Sequence, residues 1–393
     1  MQGHLCAKLA LRIKESGPMT FKDFMEAALY APGLGYYVSG KEKWGRGGDY
    51  ITSLDVSPVF GLAMATQVWE MWLVMGSPRR FTVIEAGGGR GWLTGWMLDA
   101  FSRRYPELFE AVEAVIIEKN PDAASRGILP EFANKVSFCD DIFEAVGRSD
   151  VSIRSAPYPK ASGRFEGVVI SNELMDSIPF HRVIKRNGSL KEIYVGIEDG
   201  RFIEVAKEPS TKRLGEHFSR LGIELSEAQR GEVSLGACDW IRGVGEKMAR
   251  GFVVTIDYGA SARLLYGEVK DGSVLCYYRH TVNSDPYRNV GEQDITCMVD
   301  FSSLKATGLE AGLEVSGFTA QRNFLLGLGV LDELKEIAEP SAGVYGDIVH
   351  NQGIKELIMP GGIGDTMKAL VQRKGVPASM LAGFSFKDTQ GQI

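Results

Sequence analysis

Phe81-Thr82-Val83-Ile84-Glu85-Ala86-Gly87-Gly88-Gly89-Arg90-Gly91-Trp92-Leu93 decides the fold. An apolar run ends at Ala86, a glycine turn follows, and Trp92-Leu93 opens a helical pattern that reaches Arg104. Glycines let the backbone take positive φ and let a ligand approach without meeting a Cβ. The helix that follows offers unpaired N–H groups at its start. Such a strand–turn–helix, at the carboxyl ends of a parallel sheet, forms the crevice where nucleotide cofactors sit. The dinucleotide pattern G-x-G-x-x-G fails here, because a frame starting at Gly87 puts Trp92 where the third glycine belongs. The frame that fits is Glu85-x-Gly87-x-Gly89-x-Gly91. A carboxylate at Glu85 suits a cofactor that carries an ammonium and a sulfonium but no pyrophosphate.

Outward from the turn the same rhythm continues. Apolar runs at Val112–Glu118, Val136–Cys139, Gly167–Ser171 and Gly251–Tyr258 alternate with helical patterns at Trp92–Arg104, Pro121–Phe132 and Ala237–Arg250. This repetition predicts a doubly wound, Rossmann-like α/β fold with a mostly parallel sheet covered on both faces. The rhythm breaks between Pro179 and Gly236. There Arg182–Ile197 and Arg201–Ala206 read as a hairpin about Asp199-Gly200, followed by polar helical sequence. Before the core, Leu5, Leu9, Arg12 and Ile13 share a helical face, and Phe21–Tyr30 follows an N-cap at Thr20. Glycines then crowd the stretch from Gly33 to Gly48, and Ser57–Met75 reads as a long buried helix with Pro58 in its first turn. The expected organisation is an N-terminal helical segment with a glycine-rich lid (1–80) and a core (81–181 and 237–375). An inserted α+β subdomain on the substrate side (182–236) and a C-terminal tail (376–393) complete it. Trp69, Trp72, Trp92 and Trp96 read as core.

The chain has 393 residues, 44% hydrophobic and 24% charged, a globular composition on a length greater than one compact core needs. A net charge of −6 leaves no basic surplus for phosphates, so nucleic acid is not an expected partner. The five cysteines are scattered without C-x-x-C spacing, and neither a disulfide framework nor a metal site is expected. No apolar run is long enough for a membrane span or a signal peptide, and no long transit peptide fits before Ser16-Gly17-Pro18. The expected location is the cytoplasm.

Two further acidic positions follow the glycine turn in the order of a nucleoside site. Glu118 closes the second strand, where an acid accepts hydrogen bonds from both ribose hydroxyls. Cys139-Asp140-Asp141-Ile142 ends the third. The Glu85–Gly91 frame resembles the first motif of class I methyltransferases. The resemblance implies S-adenosyl-L-methionine as cofactor and places Asp140 or Asp141 at an adenine-contacting position. Further blocks resemble one family within that class, the MidA-type methyltransferases, which include the mitochondrial complex I assembly factor that methylates an arginine. They are Gly35-Tyr36-Tyr37, Trp44-Gly45-Arg46-Gly47-Gly48-Asp49-Tyr50-Ile51-Thr52-Ser53 and Ser171-Asn172-Glu173-Leu174-Met175-Asp176-Ser177-Ile178-Pro179-Phe180-His181. Thr255-Ile256-Asp257-Tyr258-Gly259, Tyr278-Arg279-His280, Gly291-Glu292-Gln293-Asp294-Ile295-Thr296 and Val299-Asp300-Phe301 continue the series. The chain departs from the family at Gly88, where a proline is usual, and at Met298, where many members carry a histidine.

The resemblance implies a protein arginine methyltransferase whose partner is an arginine-bearing segment of a respiratory-complex (NADH dehydrogenase) subunit. A homodimer is left open. The alternatives are a non-catalytic assembly protein that binds the same cofactor and, against the failed third glycine, a NAD(P)-dependent oxidoreductase. Methyl transfer is an in-line displacement in which the protein supplies alignment and electrostatics. Asn172-Glu173-x-x-Asp176, at the carboxyl end of the fourth strand, should face the methyl group. A guanidinium acceptor is always charged, and Glu173 and Asp176 could orient its planar fork. His181 or His280 could take the released proton. Arg46 and Asp49 read as a cofactor lid, Gln293 and Asp294 as cleft residues or a helix cap, and Asp257 as structural.

Overall fold

The computed structural model describes residues 3–39, 43, 49, 53–119, 123, 125–140, 164–334 and 344–393. The chain divides into two compact units, one from Met1–Ile51, Met175–Trp240 and Gly259–Leu304, the other from Thr52–Leu174, Ile241–Tyr258 and Lys305–Ile393.

The second unit holds the sheet. Its strands are β1 (Phe81–Ala86), β2 (Val112–Ile117), β3 (Val136–Cys139), β4 (Phe165–Asn172), β5 (Met248–Ala260), β6 (Glu314–Ala320) and β7 (Met367–Lys374). They lie in the order β6-β7-β5-β4-β1-β2-β3. The neighbours from β3 across to β5 are parallel, and β7 runs antiparallel between β5 and β6. Both faces of β1, β4 and β5 are buried almost without a break, as their continuous apolar runs require. One face packs on the helix Val59–Val74 through Phe60, Met64, Val68 and Trp72, which join Val83, Ile116, Ile170 and Val254 in a single core. The expected helix Trp92–Arg104 forms with those bounds. The strand order reverses between β1 and β4, so the carboxyl ends of these two strands form the switch point at which such sheets bind ligands.

Two expectations in this unit change. Pro121–Phe132 reads as one helix in the sequence; among its described residues Ala123 is helical, and Ser125–Gly127 and Pro130–Lys135 form 3-10 turns. The glycine turn holds the middle of that segment: the Gly127 amide donates to Arg90 O at 2.7 Å, and a Cβ at Gly127 would fall 2.5 Å from Gly91 C. Residues 376–393 do not hang as a tail. The Ala382 and Gly383 amides donate to the side chains of Glu70 and Gln67, and Phe384 is buried against Phe324.

The first unit collects segments distant in sequence. The helix His4–Ser16 buries Leu5, Cys6, Leu9, Ala10 and Ile13, while Arg12 is exposed. Thr20 caps Phe21–Tyr30 as expected, its Oγ1 accepting from the Asp23 amide. The segment 182–236 is not an autonomous insertion: Met19–Thr20 pairs with Val195 and Tyr194, and Phe21 and Phe24 pack on Phe180, Phe202 and Tyr287. The hairpin about Asp199-Gly200 forms, but Arg182–Ile197 is two strands, His181–Arg186 and Ser189–Glu198, folded at Asn187-Gly188. Both central residues of each turn have positive φ, the conformation that matches hairpin twist. Among the described residues, no helix is long and apolar enough to cross a membrane.

Candidate active site

All three framed glycines take the left-handed conformation, Gly87 at φ +72°, Gly89 at +54° and Gly91 at +74°. A side chain at any of them would be strained, which is why the glycines alternate. The turn is closed by Gly91 N donating to Gly88 O at 2.7 Å and is moored to β2 by Gly87 N donating to Ile117 O at 2.9 Å. Gly88 is also required here: a Cβ would meet Ile116 Cγ2 at 2.4 Å. Arg90 lays its guanidinium over the Trp92 ring, 4.6 Å from the centroid, so the half-buried Trp92 belongs to the turn as much as to the core.

Two carboxylates brace the turn. Glu85 is 2% exposed, and its Oε2 accepts from both the amide and the hydroxyl of Thr94 in the following helix. Burial pushes the Glu85 carboxyl up to about 7, against the lowering effect of the Thr94 bonds and with a smaller push from Glu118. Glu118, just past β2, accepts the Gly89 amide on Oε2 at 3.0 Å.

Beside this turn lies the end of β4. Glu173 follows the last strand residue at φ +52°, an uncommon backbone for a residue with a Cβ. Its Oε1 accepts from Ser53 N at 3.0 Å and from Asn172 Nδ2 at 3.2 Å. Because the Asn172 amide nitrogen faces Glu173, its Oδ1 points away; that atom is buried and has no hydrogen-bond partner among the described residues. Leu174 abuts Gly87, where a Cβ would fall 2.9 Å from Leu174 Cδ1. Within one unit the structure therefore assembles Glu85, Gly87, Gly89, Gly91, Glu118, Asn172 and Glu173.

Asp140 is exposed on a bend after β3, and Arg46 and Asp141 lie outside the described residues. Asp49, Asp176, His181 and His280 belong to the other unit. Asp49 accepts from the Tyr36 hydroxyl at 2.9 Å and from the Arg279 amide at 2.6 Å, and its carbonyl accepts from His280 N. Asp176 is buried in the short turn Met175–Ser177. His181 places Nδ1 2.7 Å from Oε1 of the fully buried Glu192. Although burial opposes it, the bonds from His181 and the Ser210 amide hold Glu192 below its ordinary pKa. That pair ties two strands together, since His181 and Glu192 lie on neighbouring strands of one sheet. Gln293 is fully buried and bonds Asp285 O and Asn283, and Asp294 accepts the Tyr37 hydroxyl at 2.9 Å. Sequence reasoning gives no role to Thr94, Ser53 or Leu174, although Ser53 and Leu174 each stand inside a quoted block.

Comparison with known proteins gives the class. A family model for S-adenosyl-L-methionine-dependent methyltransferases matches residues 63–319. A Burkholderia thailandensis protein solved bound to S-adenosyl-homocysteine superposes with a TM-score of 0.85 at 29% identity, covering 99% of this chain and 96% of that one. The mitochondrial protein arginine methyltransferase NDUFAF7 of Mus musculus is 27% identical over 353 residues, 85% of this chain and 77% of its own. Its Caenorhabditis elegans homolog is 27% identical over 417 residues, 98% and 91%. The fold and the turn define a class I S-adenosyl-L-methionine-dependent methyltransferase. Within that class the chain belongs to the MidA-type family. The cofactor fits the residues present: Gly87, Gly89 and Gly91 put no side chain on the turn, and Asn172 Oδ1 is an unmet acceptor at the neighbouring strand end.

Proposed function

We propose that this chain methylates an arginine side chain of a protein, in keeping with a respiratory-complex subunit as acceptor. The observation that carries the reading is the Asn172–Glu173 pair, held by a left-handed turn at the carboxyl end of β4, next to the glycine turn. The cofactor supplies a methyl group on a positively charged sulfur. Glu173 gives a guanidinium the carboxylate it needs, by charge-assisted hydrogen bonds that fix its plane and steady the charge as nitrogen attacks. Asn172 Oδ1 adds an acceptor for a neighbouring N–H. The relatives named as protein arginine methyltransferases, at 24–27% identity, support arginine as the acceptor.

The test is incubation of purified protein with isotopically labelled S-adenosyl-L-methionine and host lysate, followed by mass spectrometry of labelled proteins. Label on arginine nitrogens is expected. Label confined to lysine, to carboxylates or to small molecules would overturn the arginine reading. Binding of the cofactor with no label anywhere would favour a non-catalytic assembly protein.

A further inference from the structure

Asp257 lies in β5, fully buried, in a block whose sequence reads as structural. Its carboxylate reaches across to β4: Oδ2 accepts the Leu174 amide at 3.1 Å, while Oδ1 accepts the Tyr258 amide at 2.8 Å. One residue earlier on each strand, Glu173 N donates to Ile256 O at 2.9 Å. The end of β5 therefore grips two consecutive amides, those of Glu173 and Leu174, where the ladder of β4 has run out.

Glu173 needs that grip. Its left-handed backbone is unfavourable for a residue with a Cβ, and such a conformation persists only where its surroundings over-determine it. If the turn relaxed, the carboxylate would leave the position in which it receives Ser53 N and Asn172 Nδ2. The same grip seats Leu174 against Gly87 of the glycine turn. A carboxylate suits the task because both oxygens only accept, and each faces a backbone N–H. An amide in its place would turn an NH2 toward one of those donors. β5 itself is paired along both edges, with β4 and β7, so the strand does not depend on this side chain.

We infer that Asp257 is a positioning residue: by accepting the Leu174 amide it holds the left-handed turn that presents the Glu173 carboxylate at the end of β4. The inference rests on Glu173 being the carboxylate that meets the methyl acceptor.

The test compares Asp257→Asn, Glu173→Gln and the double variant by the initial rate of protein labelling in lysate with labelled S-adenosyl-L-methionine, by cofactor affinity in calorimetry, and by Tm. Asp257→Asn should label about 10- to 100-fold more slowly, since a misplacement of an ångström costs that much. Its cofactor dissociation constant should stay within roughly threefold of the parent, a loss confined to the chemical step. The double variant should be no slower than Glu173→Gln alone, because two changes acting through one group do not add. If the two losses multiply, or if Asp257→Asn labels at the parental rate while Glu173→Gln is slow, the inference falls and the Glu173 reading stands. If Glu173→Gln labels at the parental rate, that reading falls and the inference with it. Should Asp257→Asn not fold, Asp257→Ser, which leaves one small acceptor, takes its place under the same criteria. Failure of both to fold would make Asp257 a structural residue and overturn the inference.

Discussion

The Gly89 amide donates to Glu118 Oε2 at 3.0 Å, so the middle glycine of the turn on β1 is pinned by the carboxylate that ends β2. The acid that the sequence offers to a ribose is thus part of the turn, and bracing can be separated from ribose binding by experiment. Glu118→Ala should weaken cofactor binding about 10- to 100-fold, the scale of losing a charged hydrogen-bond partner. If Glu118 also holds the ribose, the variant should lose discrimination between S-adenosyl-L-methionine and its 2′-deoxy analogue. A pure turn brace would weaken both ligands equally, and titration calorimetry with the pair tells which holds.

Gly89→Val attacks the turn itself. A β-branched residue at φ +54° is a backbone outlier, so the turn must either strain or refold around it. Labelling should be abolished and cofactor heats lost, while far-UV circular dichroism stays that of the parent. A Gly89→Val variant that still binds the cofactor with parental affinity would show that the left-handed turn is not what holds it.

What could be read from the sequence was local. The strand starting at Phe81, the helix Trp92–Arg104, the Thr20 cap and the alternating glycines all follow from patterns within a dozen residues. Three features needed distant partners or were masked by stronger signals. Met19–Thr20 is a strand only because Val195 and Tyr194 lie beside it, which no local period reveals. Asn187-Gly188 is a strong hairpin dipeptide, but it sits inside a run whose alternation reads as a single strand. Of the site, the residues on one continuous strand–turn–helix were legible. The grip of Asp257 on Leu174 joins positions 83 residues apart and was not.

Glu85 makes stability depend on pH. Its carboxyl titrates near 4.5 when solvated and near 7 in the fold, because burial penalises the charge. Between those values the native chain holds a proton that the unfolded chain has lost. The contribution is therefore full below about 4.5, is lost as pH rises through about 7, and is flat beyond. Glu85→Gln should remove this slope, of the order of 2–3 kcal/mol between pH 5 and 8. Urea denaturation of both proteins at pH 5, 6, 7 and 8 measures it. Parallel curves for parent and variant would mean that Glu85 stays ionised throughout.

The C-terminal segment offers the cleanest test of the core. Phe384 is 4% exposed, meets Phe324 edge to face at 5.5 Å, and fills the space above Gly317, where a Cβ would lie 2.4 Å from the ring. Its neighbours Ala382 and Gly383 spend their amides on Glu70 and Gln67 of the helix Val59–Val74, which itself packs on the sheet. The segment is thus a lid on the apolar face of the unit that carries the glycine turn. Phe384→Ala removes a ring from a close-packed site that glycines at 317 and 383 cannot refill, so it should cost about 3–5 kcal/mol in denaturant unfolding. The contacts described for this ring, with Phe324 and against Gly317, lie away from Glu85, Glu118 and Glu173 in sequence and bonding, so cofactor affinity measured well below the unfolding midpoint should hold. A loss below about 1 kcal/mol, too small for an emptied core site, would mean that the segment lies loosely on the surface.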